Sequence, residues 1–215
     1  MLVKLRLKIS HIFKVYFKNH YGQISKESDI GRWILCLSSL SEVKSIVEIG
    51  TWNGAGSSRL IAKGVSLNPG KLGKCLVFGL EIDASQVKVA KKRLKRYNFF
   101  NVLHGRIIEE SDFDIEGLVG NENRWLRQDL LNLRNCPNVL RNIPSEIDLL
   151  ILDGGEFSTY SEFCILKSRI TNYVILDDVF TRKCKKILNE VKDSNEFELI
   201  YYSRERNGTA VLKKK

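Results

Sequence analysis

The residues best suited to chemistry fall in four short runs. Val47-Glu48-Ile49-Gly50-Thr51-Trp52-Asn53-Gly54-Ala55-Gly56-Ser57 sets glycines at 50, 54 and 56 behind an apolar stretch that carries an acid. Glycines at such a turn let the backbone come close to a ligand and open onto a helix N-terminus. Trp52 stands where the dinucleotide fingerprint G-x-G-x-x-G needs its second glycine, which leaves poor room for a pyrophosphate. Gly79-Leu80-Glu81-Ile82-Asp83 ends a second apolar run in a carboxylate. Its two oxygens can accept both hydroxyls of a ribose, with Ile82 as an apolar surface for a base. Leu152-Asp153-Gly154-Gly155-Glu156-Phe157 and Leu176-Asp177-Asp178-Val179 end two more. Carboxylates brought together there would lift one another's pKa values, a conflict that a divalent cation with hard oxygen ligands resolves. The other reading is that Asp153 caps its strand and the Asp pair caps the next helix. Glu156 is a carboxylate able to take a proton if burial raises its pKa.

These runs need elements to hold them, and the chain supplies a repeating rhythm of strand, turn and helix. Apolar stretches predict strands at Ser45–Ile49, Leu76–Glu81, Asn101–Leu103, Asp148–Leu152 and Tyr173–Leu176, followed by Phe197–Tyr202 and Thr209–Leu212. Asn207-Gly208 between the last two signals a tight hairpin. Helical spacing is read at Leu5, Ile9, Ile12, Phe13 and Tyr16, and again from about Asp29. Further helices carry Leu60 and Ile61, run from Asp83 (an N-cap with Gln86 completing a capping box) to about Tyr97, and cover Lys183–Val191. The expected fold is α/β, a doubly wound and mostly parallel seven-stranded sheet with an antiparallel last strand. It forms one domain: N-terminal helices over 1–44, a cofactor-binding half over 45–106, an insertion over 107–146 with a short helix at Trp125–Leu133, and an acceptor and metal half over 147–215. Ligands in such a fold bind at the carboxyl ends of the strands.

Composition sets the remaining bounds. At 215 residues, with 43% hydrophobic and 28% charged, the chain reads as an ordinary soluble globular protein, with no apolar run long enough to span a bilayer and no secretory signal. Cys36, Cys75, Cys136, Cys164 and Cys184 are widely spaced and read as reduced thiols, so a cytoplasmic location is expected. The net charge of +10 gathers in the first twenty residues, in Lys88, Lys91, Lys92, Arg93, Lys95 and Arg96, and in Lys213–Lys215. No stacking aromatics interleave with these runs, so they read as solvated faces rather than a nucleic-acid surface.

The glycine turn, followed by Glu81-Ile82, resembles motif I and the ribose-binding acid of class I S-adenosylmethionine-dependent methyltransferases. The Asp153 and Asp177-Asp178 combination is similar to that of the metal-dependent O-methyltransferases of the catechol and macrocin type, over Ser45 to about Val179. The resemblance implies cofactor contacts at Glu48, Gly50, Thr51, Trp52, Asn53, Gly54, Ser57, Glu81, Ile82, Gly105, Arg106 and Asp153. It implies Mg2+ or Mn2+ on Asp153, Asp177 and Asp178. In the catechol branch a lysine three residues past the strand-four acid is the general base, and in the sugar-modifying branch a histidine lies near; this chain has Glu156, the candidate base here, with Asp153 beside it. That departure argues for a sugar or glycan hydroxyl over a catechol. Acceptor recognition is expected from the N-terminal helices, the insertion and the polar stretch Phe157–Phe163, with Ser158, Thr159, Tyr160 and Glu162. A nucleic-acid methyltransferase is the competing activity, motivated by charge, but the chain lacks the Asn/Asp-Pro-Pro-aromatic tetrad. A non-catalytic binding protein on the same fold is the third alternative. Nothing in the sequence bears on oligomeric state.

Overall fold

The computed structural model describes residues 24–118, 120 and 122–215, so the basic helix expected over the first twenty residues lies outside the described chain. β1 (Ser45–Ile49), β2 (Leu76–Glu81), β3 (Phe100–His104), β4 (Ile147–Leu152), β5 (Ile170–Asp177), β6 (Phe197–Ser203) and β7 (Thr209–Lys214) form one sheet in the order β3-β2-β1-β4-β5-β7-β6. β1 pairs parallel with β2 and β4, while β7 runs antiparallel between β5 and β6. This is the doubly wound sheet expected from the sequence. β5 is longer than its apolar run because Thr171 and Asn172, polar in sequence, donate to the Asp148 carboxylate at 2.8 and 3.2 Å.

Side-chain alternation assigns a helical layer to each face. Ile46, Leu149, Ile151 and Ile175 pack beneath α1 (Asp29–Ser39), α2 (Ser57–Leu67) and α3 (Ala84–Leu94) through Ile34, Ile61 and Ala90. Their neighbours Val47, Leu150, Leu152 and Leu176 face the other way. They meet α5 (Thr159–Leu166) and α6 (Arg182–Lys192) through Phe163, Leu166, Cys184 and Ile187, with α4 (Glu122–Arg134) contributing Leu133. Asp83 caps α3 as expected, accepting from the Ser85 and Gln86 backbones, but the Ser85 hydroxyl also joins its carboxylate. On α3 the lysines at 88, 91 and 92, and Lys95 at its C-cap, are exposed, whereas Arg93 turns inward to Asn53.

Two expectations change and one is filled in. The segment over 107–146, expected as an insertion, sends Ile107, Ile108, Phe113, Val139 and Ile143 into the same core as β1 and β4. Phe157–Phe163, expected as a polar loop, runs into α5, its polar start hiding the inward Phe163 and Leu166. The β6–β7 connection spans residues 204–208, longer than a two-residue turn. Its Asn207 and Gly208 carbonyls accept from Phe180 and Val179, which docks the turn onto the end of β5. No helix among the described residues is long and apolar enough to cross a membrane.

The order in which strands are added reverses between β1 and β4, since β2 and β3 lie to one side of β1 and all later strands to the other. That switch opens a crevice at the carboxyl ends of the strands.

Candidate active site

A cavity of about 420 Å³ lies at that switch, within the size range of small-molecule sites. Gly50 makes the junction possible: its φ is +89°, and a Cβ there would stand 2.0 Å from the Asp153 carbonyl oxygen of the adjacent strand end. The strand ends are tied by the Asp153 N–H donating to the Ile49 carbonyl at 3.0 Å.

The three non-glycine residues with left-handed backbone among those described are Trp52 (φ 46°), Asp178 (φ 56°) and Arg206 (φ 57°). All three line the cavity. Such conformations cost on the order of 1–3 kcal/mol each and persist where the surroundings impose them, which is characteristic of functional sites.

Of the expected cofactor contacts, Gly50, Thr51, Trp52, Ser57, Glu81, Ile82, Gly105 and Asp153 lie in the wall. Glu81 accepts from the Trp52 N–H at 2.7 Å on one oxygen and from the Asp83 N–H at 2.8 Å on the other. Burial lifts its pKa above the ordinary carboxylate range against the pull of those two N–H groups. Of the other four, three are brought to the turn but not to the cavity and one is brought to neither. Glu48 is fully buried beneath the turn, accepting from the Thr51 and Ser58 hydroxyls at 3.2 and 2.7 Å. Burial pushes Glu48 up to about 7, and the charge of Asp153 adds to the rise. Asn53 accepts from the Ala55 N–H and from Arg93, and a Cβ on Gly54 would stand 3.2 Å from the Ala90 Cα. Arg106 turns away to the Ile108 and Cys136 carbonyls and to Glu109. Glu48, Asn53 and Gly54 therefore shape the turn from behind, and Arg106 takes no part in it.

The three aspartates converge. Asp153, Asp177 and Asp178 each offer an oxygen within 4.8 Å of the others. A lysine that sequence reading missed accompanies them: Lys183 Nζ donates to Asp153 Oδ1 at 2.9 Å and lies 2.8 Å from Asp178 Oδ2. Arg206 Nη2 stands 3.8 Å from Asp177. Burial alone would lower the Lys183 pKa, but Asp153, Asp178 and Asp177 outweigh it and the net shift is upward. The reciprocal effect holds Asp178 low against its own burial. Asp177 is pushed up to about 7 by burial and by the neighbouring carboxylates Asp153 and Asp178. Only a helix register placing residue 183 in the first turn of α6 could have flagged Lys183; composition alone made it one basic residue among 35.

Glu156, expected as the proton acceptor, is absent from the cavity wall; its Oε1 accepts from the Lys183 backbone N–H at 3.4 Å. Two other acids take places in the wall. Asp129 of α4 is pushed up to about 6 by burial and by the charges of Glu81 and Glu156. Glu162 of α5, 6% exposed, is pushed up to about 8 by burial, against the Ser158 hydroxyl. Ser158 shares the wall, but Thr159 folds back to the Gly155 carbonyl and Tyr160 turns to Glu190.

The Glu162 shift has a measurable consequence for stability. The unfolded side chain titrates near 4.5 and the folded one near 8, so over that window the native state keeps a proton the unfolded chain has lost. Stability then falls as pH rises through the window, by on the order of 5 kcal/mol for this one group. Glu162→Gln removes that slope. Thermal unfolding of variant and wild type at pH 5 and pH 9 is expected to show the variant gaining relative to wild type at the higher pH. A constant difference across pH would refute the burial argument.

No protein-family model matches the chain, and no curated protein sequence matches it. Solved structures do. A Staphylococcus aureus protein assigned as a caffeoyl-CoA O-methyltransferase superposes with a TM-score of 0.64 at 17% identity, over 100% of this chain and 97% of that one. An O-methyltransferase from Bacillus cereus in complex with SAH gives 0.60 at 14%, over 96% and 90%. An SAH-bound methyltransferase from Podospora anserina gives 0.54 at 15%, over 86% and 77%. At these identities the likeness is one of fold: this chain has the Rossmann-like methyltransferase fold.

Proposed function

We propose that this chain is an S-adenosylmethionine-dependent O-methyltransferase acting on a hydroxyl of a small polar acceptor, a sugar or glycan. The observation that carries the reading is that a single cavity wall joins the glycine turn, the Glu81 carboxylate at the end of β2, and Asp153 at the end of β4. Glu81 and Ile82 would hold the ribose and adenine of the donor. The turn at Gly50 to Ser57 would carry its methionine portion toward Asp153. An acidic wall suits a cationic sulfonium, and Glu162, Ser158 and Asn132 offer hydrogen-bonding partners for a polyhydroxylated acceptor.

In the reaction the acceptor oxygen attacks the methyl carbon in line with sulfur. The carbon–sulfur bond breaks, its electron pair stays on sulfur as a neutral thioether, and the acceptor's proton passes to a base. Asp153 is that base in this reading, because it lies in the wall and Glu156 does not. Alignment supplies most of the rate, since a sulfonium is already a good leaving group.

Metal assistance was expected from the aspartate triad. The residues present do not fit a divalent cation while Lys183 holds two of the three ligand carboxylates, so no step here passes through a metal.

A calorimetric titration with S-adenosylmethionine tests the donor, with saturable binding expected. A mass-spectrometric screen of methyl acceptors, sugars against RNA, tests the rest. Absence of donor binding would return the chain to the class of binding proteins that share the fold, and methylated RNA would replace the sugar.

A further inference from the structure

Lys183 occupies an unusual position for a surface-rich residue type. Its side chain is 8% exposed, its ammonium contacts Asp153 and Asp178, and it belongs to the cavity wall. The placement is imposed by the backbone on both sides. Thr181 caps α6 by accepting from the Lys183 N–H at 3.3 Å, which fixes residue 183 in the first helical turn. The next residue, Cys184, and then Ile187 are fully buried against the sheet, so the helix cannot rotate to release it. From the other side, the left-handed backbone of Asp178 turns its carboxylate back onto the ammonium.

Resting on the methyltransferase reading above, we propose that Lys183 is the resident cation of this site, standing at the aspartate triad in place of a divalent metal. Mg2+ requires oxygens at about 2.0–2.1 Å in near-octahedral array. Two of the three carboxylates are already engaged by an ammonium at 2.9 and 2.8 Å, and the third faces Arg206 at 3.8 Å. At most three negative charges face two positive ones and leave a residue of at most one, too little to attract a dication against a fixed ammonium in contact with its ligands. An ammonium has three N–H donors and no acceptor. Two serve Asp153 and Asp178, and the third is left for the oxygen of the acceptor. Lys183 thereby positions Asp153 and supplies the positive charge that a metal would otherwise bring to that oxygen.

The test measures Mn2+ binding by electron paramagnetic resonance in the wild type, in Lys183→Met, and in Asp153→Asn as a control for binding elsewhere. Methyl transfer in excess chelator is measured alongside. The wild type is expected to show no Mn2+ binding that Asp153→Asn abolishes, and undiminished transfer in chelator. Lys183→Met is expected to gain a Mn2+ site, at least about tenfold tighter than any in the wild type, because a contacting positive charge has been removed. Should Lys183→Met not fold, Lys183→Gln keeps a neutral side chain with polar contacts, and the wild-type measurement alone decides. Wild-type Mn2+ binding that Asp153→Asn abolishes would overturn the proposal, as would transfer lost in chelator and restored by Mn2+. Mn2+ binding is read without donor or acceptor, so it stands or falls separately from the titration with S-adenosylmethionine.

Discussion

Glu81→Ala is expected to weaken S-adenosylmethionine binding by roughly 1.5–3 kcal/mol, or about 10- to 150-fold, the range for losing hydrogen bonds to a charged group. Glu81 ends β2 with both carboxylate oxygens held by backbone N–H groups, from Trp52 at 2.7 Å and Asp83 at 2.8 Å. Each oxygen keeps lone-pair capacity for one ribose hydroxyl. The carboxylate also ties down the Trp52 turn, whose backbone is left-handed. Truncation therefore removes a ligand contact and loosens the glycine turn together. Glu81→Gln is expected to fall between, since it keeps the shape but puts an amide NH2 against one of the two N–H donors. Calorimetry on the three proteins measures this directly. Donor affinity unchanged in Glu81→Ala would mean that the ribose does not sit at the end of β2.

Glu81 was legible because two independent signals coincide on it: an apolar run of strand length and an acid at its carboxyl end. The same holds for Asp153 and for the Asp177-Asp178 pair, and β1, β2, β4 and β7 begin and end close to where hydrophobic patterning puts them. What the sequence could not convey was depth along the strand and direction. Glu48 and Glu81 both lie near strand ends and on the same face of the sheet, yet Glu48, paired with Gly79, sits two positions deeper and is buried beneath α2, while Glu81 at the tip reaches the wall. Glu156 and Glu162 pose a second difficulty. Glu156 lies in the turn before α5 and Glu162 on the helix itself, whose polar first turn hides that this acid faces the cavity. Lys183 was illegible for a third reason. Its significance comes from a contact between residues 30 positions apart, Lys183 and Asp153, which no local pattern records.

Asp153→Asn is expected to lower kcat by about 10²–10³-fold while donor affinity stays close to that of the wild type, within the range that a positioned general base contributes. Asp153 lies in the wall at the end of β4, tied to the end of β1 by its N–H on the Ile49 carbonyl. Its Oδ1 is engaged by Lys183, which leaves the second oxygen to receive the acceptor's proton. Asparagine keeps the volume of the side chain and can keep an oxygen toward Lys183, but its amide nitrogen has no proton-accepting capacity. The loss should therefore appear in the chemical step, with acceptor KM little changed. Glu156→Gln provides the contrast, because Glu156 sits outside the wall against the Lys183 backbone and its neutralisation is expected to change kcat by at most a few-fold. Steady-state kinetics on both variants, with donor affinity measured separately, distinguish the two acids. A large fall in Glu156→Gln together with near-normal turnover in Asp153→Asn would move the base to Glu156, and would require α5 or its preceding turn to swing that carboxylate into the cavity when the acceptor binds.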